Sequence, residues 1–289
     1  MPVIAIVNRK GGSGKSTLAT HLAASFANRG VAVMLGDVDR QQSTQGWLRM
    51  RGAEALPNSA PIVGWAVDPK RVLRPPAGVS LVVLDTPGGL HGFDLARVAA
   101  FADVILMPIC NSAFDRESAA ECHAELMALP RVASGRCKVA AIGMRLDART
   151  RSAETLALWA RAIKLPFVAA LREAQVYVRG VERGVTLFDL PADKVAADLA
   201  QWQPLLEWLE PALAAVHKPA IRGNPSVLRS APMALDGRSA PMSLDSRAAP
   251  LPRLRAPASV EPSRRSTAER LAGWLGWLTT PKVRRPSAS

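Results

Sequence analysis

Short apolar runs recur along the first 215 positions, separated by stretches with helical periodicity. Residues 3–7, 31–35, 81–84, 104–109 and 139–144 are almost wholly apolar. Runs of this length without polar alternation predict strands buried on both faces. Residues 166–170 predict a sixth. Helices are expected over 15–28, 94–101, 115–128, 153–163 and 192–216, with Gly30 placed to end the first. Strands alternating with helices imply an α/β fold: a mostly parallel, twisted sheet with helices on both faces. Residues 51–80, rich in Pro, Gly and Ala, read as a less regular connection.

The texture changes after residue 217. Pro, Ala, Ser and Arg dominate and no apolar period survives, which reads as a disordered linker over 218–265. It carries a nine-residue repeat, Ser230 to Arg238 and then Ser239 to Arg247, with a degraded third copy near Ala249 to Arg255. The unit is too short for a stacked solenoid; a repeated docking motif is the other reading. Residues 266–280 differ again. Ser266-Thr267-Ala268-Glu269 has the form of a capping box, and Leu271, Trp274, Leu275 and Leu278 fall on one helical face. Such a short amphipathic helix can lie on a membrane, fill a partner's groove or pack on its own domain. A basic tail, 281–289, closes the chain.

Charge follows the same division. The formal net charge is +13, yet residues 218–289 alone hold 13 Lys/Arg against 4 Asp/Glu. A basic surface points to an anionic partner or to solubilisation. Cys110, Cys122 and Cys137 lack the spacing of a zinc or disulfide framework, which fits a reducing cytoplasm. No apolar run is long enough to span a bilayer.

The chemistry lies in Lys10-Gly11-Gly12-Ser13-Gly14-Lys15-Ser16-Thr17, between the first strand and the first helix. A phosphate cradle needs glycines so that backbone N–H groups can point inward, with a helix N-terminus behind them. It also needs a lysine for the phosphates and a hydroxyl for Mg²⁺. The generic pattern would want glycine at position 9, where Arg9 stands. Two acids, Asp37 and Asp39, follow the second strand, and Asp85 emerges from the apolar run Leu81 to Leu84.

Arg9 to Ser16 resembles the deviant Walker A box of the ParA/MinD family of P-loop ATPases. Asp37-Val38-Asp39-Arg40-Gln41 is similar to that family's DxDxQ segment, and Leu81 to Gly88 to its Walker B strand and switch. Pro108 to Asp115, Asp147 to Thr150, and Leu171 to Asp189 resemble later family blocks, so the likeness covers about residues 1–215. It implies an ATPase domain over 1–217 that binds ATP and Mg²⁺ through Gly11, Gly12, Ser13, Gly14, Lys15, Ser16 and Thr17. It further implies that Pro108 and Met144 lie near the nucleotide, that Ser16, Asp37 and Asp85 serve the metal, and that Asp39 orients the attacking water. Lys10 would reach across an ATP-bound homodimer to the partner's nucleotide.

Within the family, the resemblance implies a slow, partner-stimulated ATP hydrolase of the ParA branch. Its dimer would bind DNA non-specifically, in the cytoplasm on the nucleoid, and position a plasmid, chromosome or protein cargo through a ParB-like or adaptor protein. Arg145, Arg149, Arg151, Arg172, Arg179 and Arg183 could supply the basic surface. No helix-turn-helix precedes the loop, which argues against operator recognition. The alternative is a MinD-like, membrane-cycling regulator anchored through 266–280. The family's iron–sulfur reductases would need cysteines in glycine-rich loops. Its tyrosine kinases would need a tyrosine-rich tail, whereas Tyr177 is the sole tyrosine.

Overall fold

The computed structural model describes residues 1–39, 41–52, 56, 61–66 and 78–217, with side chains through 214. The expectations for 218–265, 266–280 and 281–289 lie outside the described residues.

Seven strands form one parallel sheet: β1 (Val3–Ile6), β2 (Val33–Asp37), β3 (Ile62–Ala66), β4 (Leu81–Asp85), β5 (Val104–Ile109), β6 (Lys138–Leu146) and β7 (Phe167–Arg172). Their order across the sheet is β3-β2-β4-β1-β5-β6-β7. The helices are α1 (Lys15–Ala27), α2 (Ser43–Arg51), α3 (Gly92–Phe101), α4 (Ala113–Met127), α5 (Pro130–Ala133), α6 (Ser152–Ala162), α7 (Gln175–Glu182) and α8 (Ala192–His217). A 3-10 turn, Leu187–Asp189, precedes α8.

The strands are apolar on both faces because each face has its own core. Ile4, Ile6, Leu35, Val83 and Leu106 pack with Leu18 and Leu22 of α1 and with Trp202, Leu205 and Leu209 of α8. Their neighbours Val3, Ala5, Met34, Val82, Leu84 and Ile105 pack with Leu95 of α3, Cys122 and Leu126 of α4, and Leu156 of α6. One set of side chains thus falls on each side of the pleat. Because α1 lies deep against the sheet, its buried positions include Lys15, Thr20, His21 and Ser25 as well as its apolar residues.

The structure corrects the expected outline in several places, the short helix α5 among them. The connection over 51–80 contains the edge strand β3, whose partial burial and internal glycine blur any alternation. Helix α2 was missed because its sequence is mostly polar and contains Gly46; Asp37 anchors its first turn by accepting from the backbone N–H and hydroxyl of Thr44 at 3.0 and 2.6 Å. Helix α7 was missed as a short segment inside a motif. β2 begins two residues late and runs to Asp37, so this carboxylate belongs to the strand end.

Helix α1 holds one core histidine. The His21 ring is fully buried, stacks on Trp202 at 5.4 Å and lies 5.2 Å from the Tyr177 ring. Its Nδ1 lies 2.8 Å from the carbonyl of Thr17. Burial lowers its pKa from 6.5 to about 4. A histidine held neutral on folding contributes stability that is complete above the unfolded pKa and is lost as pH falls toward the folded one. From pH 7.5 to pH 5 this group alone should remove about 2 kcal/mol. Urea unfolding at both pH values should show His21→Phe losing that much less than the parent; equal losses would contradict the assignment.

Candidate functional site

The central strand β1 lies between β4 and β5, and its chain leaves the carboxyl edge of the sheet there, where open parallel sheets bind ligands. The turn that follows adopts left-handed conformations at Gly12 (φ 72) and Gly14 (φ 93), which a side chain would resist. Gly14 is also the residue before α1, so the helix N-terminus opens onto the turn. Asn8, fully buried and unmarked by any sequence reading, fixes the start of the loop. Its amide donates to the Pro108 carbonyl at 2.6 Å, and its oxygen accepts from Lys10 N–H at 3.0 Å. Lys15 Nζ curls back to the Lys10 carbonyl at 3.1 Å. Burial depresses this ammonium's pKa against the pull of Asp85 and Asp39. Ser13 Oγ is buried without a partner, and a Cβ added at Gly11 would meet no atom.

Two carboxylates sit side by side at the sheet edge. Asp37 and Asp85 are register partners on β2 and β4, and Ile6 is the partner of Asp85 on β1. Burial pushes the Asp85 carboxyl up to about 7; Asp37 and Asp39 add to the rise, while the Ser16 hydroxyl and Lys15 oppose it. Its Oδ1 is buried without a hydrogen-bond partner. An orphaned carboxylate oxygen beside a serine hydroxyl suits a divalent cation. Among the described residues no group of three or more His, Cys, Asp and Glu could hold a metal unaided, so phosphate or water oxygens would complete the shell. The Asp37 oxygens are engaged by Asp39 N–H at 3.0 Å and by Thr44. Asp39 itself is half-buried and accepts from Gln41 N–H at 3.0 Å.

The loop after Asp85 leans on the phosphate loop. Thr86 donates to the Ile6 carbonyl at 2.7 Å, and Gly89 N–H to the Arg9 carbonyl at 2.5 Å. The side chains of Arg9 and Lys10 both reach α4. Lys10 Nζ lies 2.6 Å from Asp115 Oδ1, and Arg9 pairs with Glu121 and Glu125. Burial works against ionisation of Asp115, but bonds from Lys10 and Ser112 outweigh it and hold the carboxyl below the usual range. The Lys10 ammonium expected to reach another chain is thus held by its own chain's α4.

A cleft of about 370 Å³ opens beside the phosphate loop, where Gly14, Thr17 and Met144 meet Arg145, Glu173 and Tyr177. Met144 is part of this lining. Pro108 does not line this cleft; it is buried inside β5 with its carbonyl facing Asn8. Of the arginines considered for a basic surface, Arg149 pairs with Asp147, Arg151 with Glu154 and Arg172 with Asp198; Arg145 and Arg179 are exposed. No helix among the described residues is long and apolar enough to cross a membrane.

Glycine turns that aim backbone N–H groups away from a central parallel strand are how α/β proteins take hold of phosphates, and this fold is of the P-loop class. A family model described as the CobQ/CobB/MinD/ParA nucleotide binding domain matches residues 4–230, and the chain belongs to that family. A maintenance of carboxysome distribution protein A from Gloeobacter kilaueensis is 40% identical over 108 residues, 37% of this chain and 48% of that protein, so the chain spans about half its length. Its namesake from Halothiobacillus neapolitanus is 26% identical over 198 residues, 68% of this chain and 91% of that one. The ATP complex of a McdA variant from Cyanothece shares the fold with TM-score 0.53 at 18% identity, covering 74% of this chain and 96% of that one. The cell division ATPase MinD of Pyrococcus furiosus does so with TM-score 0.54 at 16% identity, covering 73% and 98%.

Gly88 tests the contact between the two loops. A Cβ there would lie 3.3 Å from Gly11 Cα and 3.4 Å from Gly11 N, both backbone atoms with little room to give. Gly88→Ala should weaken nucleotide binding about tenfold, equivalent to about 1.4 kcal/mol, and leave the melting temperature nearly unchanged. Titration calorimetry giving parental affinity would show that the two loops need not touch.

Proposed function

We propose that this chain is an ATP-hydrolysing dimerisation switch of the ParA type that positions a cargo on DNA. The observation that carries the reading is the joint placement of the glycine turn, Lys15 and the orphaned Asp85 oxygen at one point of the sheet edge. ATP would place its triphosphate against the N–H groups of Gly11 to Thr17 and its nucleoside toward the Met144–Tyr177 cleft. Lys15 would neutralise phosphate charge. Ser16 and Asp85 would hold Mg²⁺, with Asp37 shaping the loop beside them; the ion supplies positive charge against the triphosphate. Asp39 would orient the attacking water for in-line displacement.

Lys10 gives the switch its second half. To act in another chain's site it must leave Asp115, so dimerisation exchanges an intramolecular ion pair for an intermolecular one. The side chain is 39% exposed, so the pair it gives up is weak enough to exchange. Relatives named for carboxysome distribution and chromosome partitioning support the positioning reading. They keep a protein cargo, named among the expectations, beside the DNA ones. A non-specific DNA surface would draw on exposed arginines such as Arg145 and Arg179, with hydrolysis stimulated by a cargo adaptor. The Trp/Leu segment 266–280, flanked by Arg264, Arg265, Lys282, Arg284 and Arg285, favours a second reading, a membrane-cycling switch of the MinD type.

Three measurements follow. Lys10→Ala should bind ATP within a few-fold of the parent and fail to dimerise with it; normal ATP-dependent dimers in light scattering would sink the switch. Asp39→Ala should accumulate as an ATP-bound dimer with phosphate release reduced about a hundredfold or more, the scale expected for loss of a catalytic base; release at the parental rate would contradict its role. ATP-dependent binding to non-specific DNA should survive truncation after residue 217. Binding to anionic liposomes that disappears on the same truncation would instead select the membrane reading.

A further inference from the structure

One helix holds both side chains that precede the Gly11-Gly12 pair, at different points along its length. Lys10 is held at the first turn of α4, through Asp115. Arg9 is held in the later turns, with Nη1 3.0 Å from Glu121 Oε2 and Nη2 on Glu125 Oε2. Glu125 has a second attachment. Its Oε1 accepts the backbone N–H of Gly92 at 2.6 Å, at the start of α3. Gly92 has φ 57, a conformation that leaves this N–H available to the carboxylate. The segment between Asp85 and α3 is therefore fastened to the phosphate loop twice: by the Gly89 N–H on the Arg9 carbonyl, and through the two oxygens of Glu125.

The bridge is not a stability device. The Arg9 and Glu125 side chains are each 26% exposed, and pairs of this kind contribute about 1 kcal/mol or less. Its effect is geometric. Burial opposes ionisation of Glu125, yet the bonds from Arg9 and the Gly92 N–H overcome it and hold the carboxyl below its usual range. The charged form is thus the one that spans both loops. A glutamine presents an NH2 donor where one of these oxygens stands, so it cannot accept at both positions.

We propose that Glu125 is a positioning residue that fixes the spacing between the phosphate loop and the loop after Asp85, and so sets the preference for triphosphate over diphosphate. The inference rests on the nucleotide-switch reading above. Under that reading the third phosphate would lie between the two loops and a diphosphate lacks it, so loss of the bridge should weaken ATP binding and spare ADP binding.

The test measures equilibrium binding of fluorescent ATP and ADP analogues with Mg²⁺ to the full chain, its Glu125→Gln variant and its Glu121→Gln variant. Glu125→Gln should lower ATP affinity about fivefold or more, the lower range of couplings between linked sites, with ADP affinity within about twofold and an unchanged melting temperature. Glu121→Gln removes a carboxylate that touches Arg9 alone and should leave the ATP-to-ADP ratio unmoved. Should Glu125→Gln fold poorly, Glu125→Asp keeps the charge but shortens the reach, and should move the ratio in the same direction. An unmoved ratio in the Glu125 variants, or an equal shift in Glu121→Gln, overturns the inference alone. A parent chain that binds neither nucleotide overturns the switch reading and the inference with it.

Discussion

A lysine and an aspartate must be held almost free of water at the same point of this fold, and most of the structure serves that constraint. Lys15 is 7% exposed and Asp85 1%. Withdrawing such charges from solvent costs several kcal/mol each unless partners replace the water. The replacement is incomplete: Lys15 has a carbonyl, Asp85 has the Ser16 hydroxyl, and one Asp85 oxygen has nothing. Two apolar cores on opposite faces of the sheet supply the burial that offsets such a site. The site in turn retains unsatisfied polarity that an anion and a cation could complete together.

The loops around that point are positioned by residues that contribute no group to it. Asn8 ties the phosphate loop to β5, Thr86 ties the end of β4 to β1, and Asp37 starts α2. Helix α4 engages Arg9 and Lys10 in succession, so a shift of the helix along its axis would displace both. Packed helices rearrange between discrete positions more readily than they deform. Three ion pairs from one helix to one loop therefore make the helix's position the reference for both side chains.

Much of this was legible in the sequence. Apolar runs located the buried strands because burial on both faces leaves no polar positions to confuse the pattern. The glycine loop was legible because few backbone arrangements require Lys-Gly-Gly-x-Gly-Lys after a strand. Elements whose stability comes from elsewhere were not legible. β3 is a partly exposed edge, α2 is started by one carboxylate seven residues before its first threonine, and α7 is short. Asn8 and Glu125 were missed for a related reason. Each acts through a contact more than 30 residues away in sequence, and no local pattern marks an ordinary polar residue for such a task. Pro108 was expected near the nucleotide because a motif begins there; the structure buries it within β5, outside the lining of the cleft.

The Tyr177 ring forms part of the cleft wall, and its hydroxyl accepts the indole N–H of Trp202 at 3.0 Å, deep in α8. It is the only tyrosine in the chain. The wall of the cleft is thus joined directly to an indole that is stacked on the His21 ring of α1. A shift of the cleft wall would therefore disturb the Trp202 indole and, behind it, the His21 ring of α1.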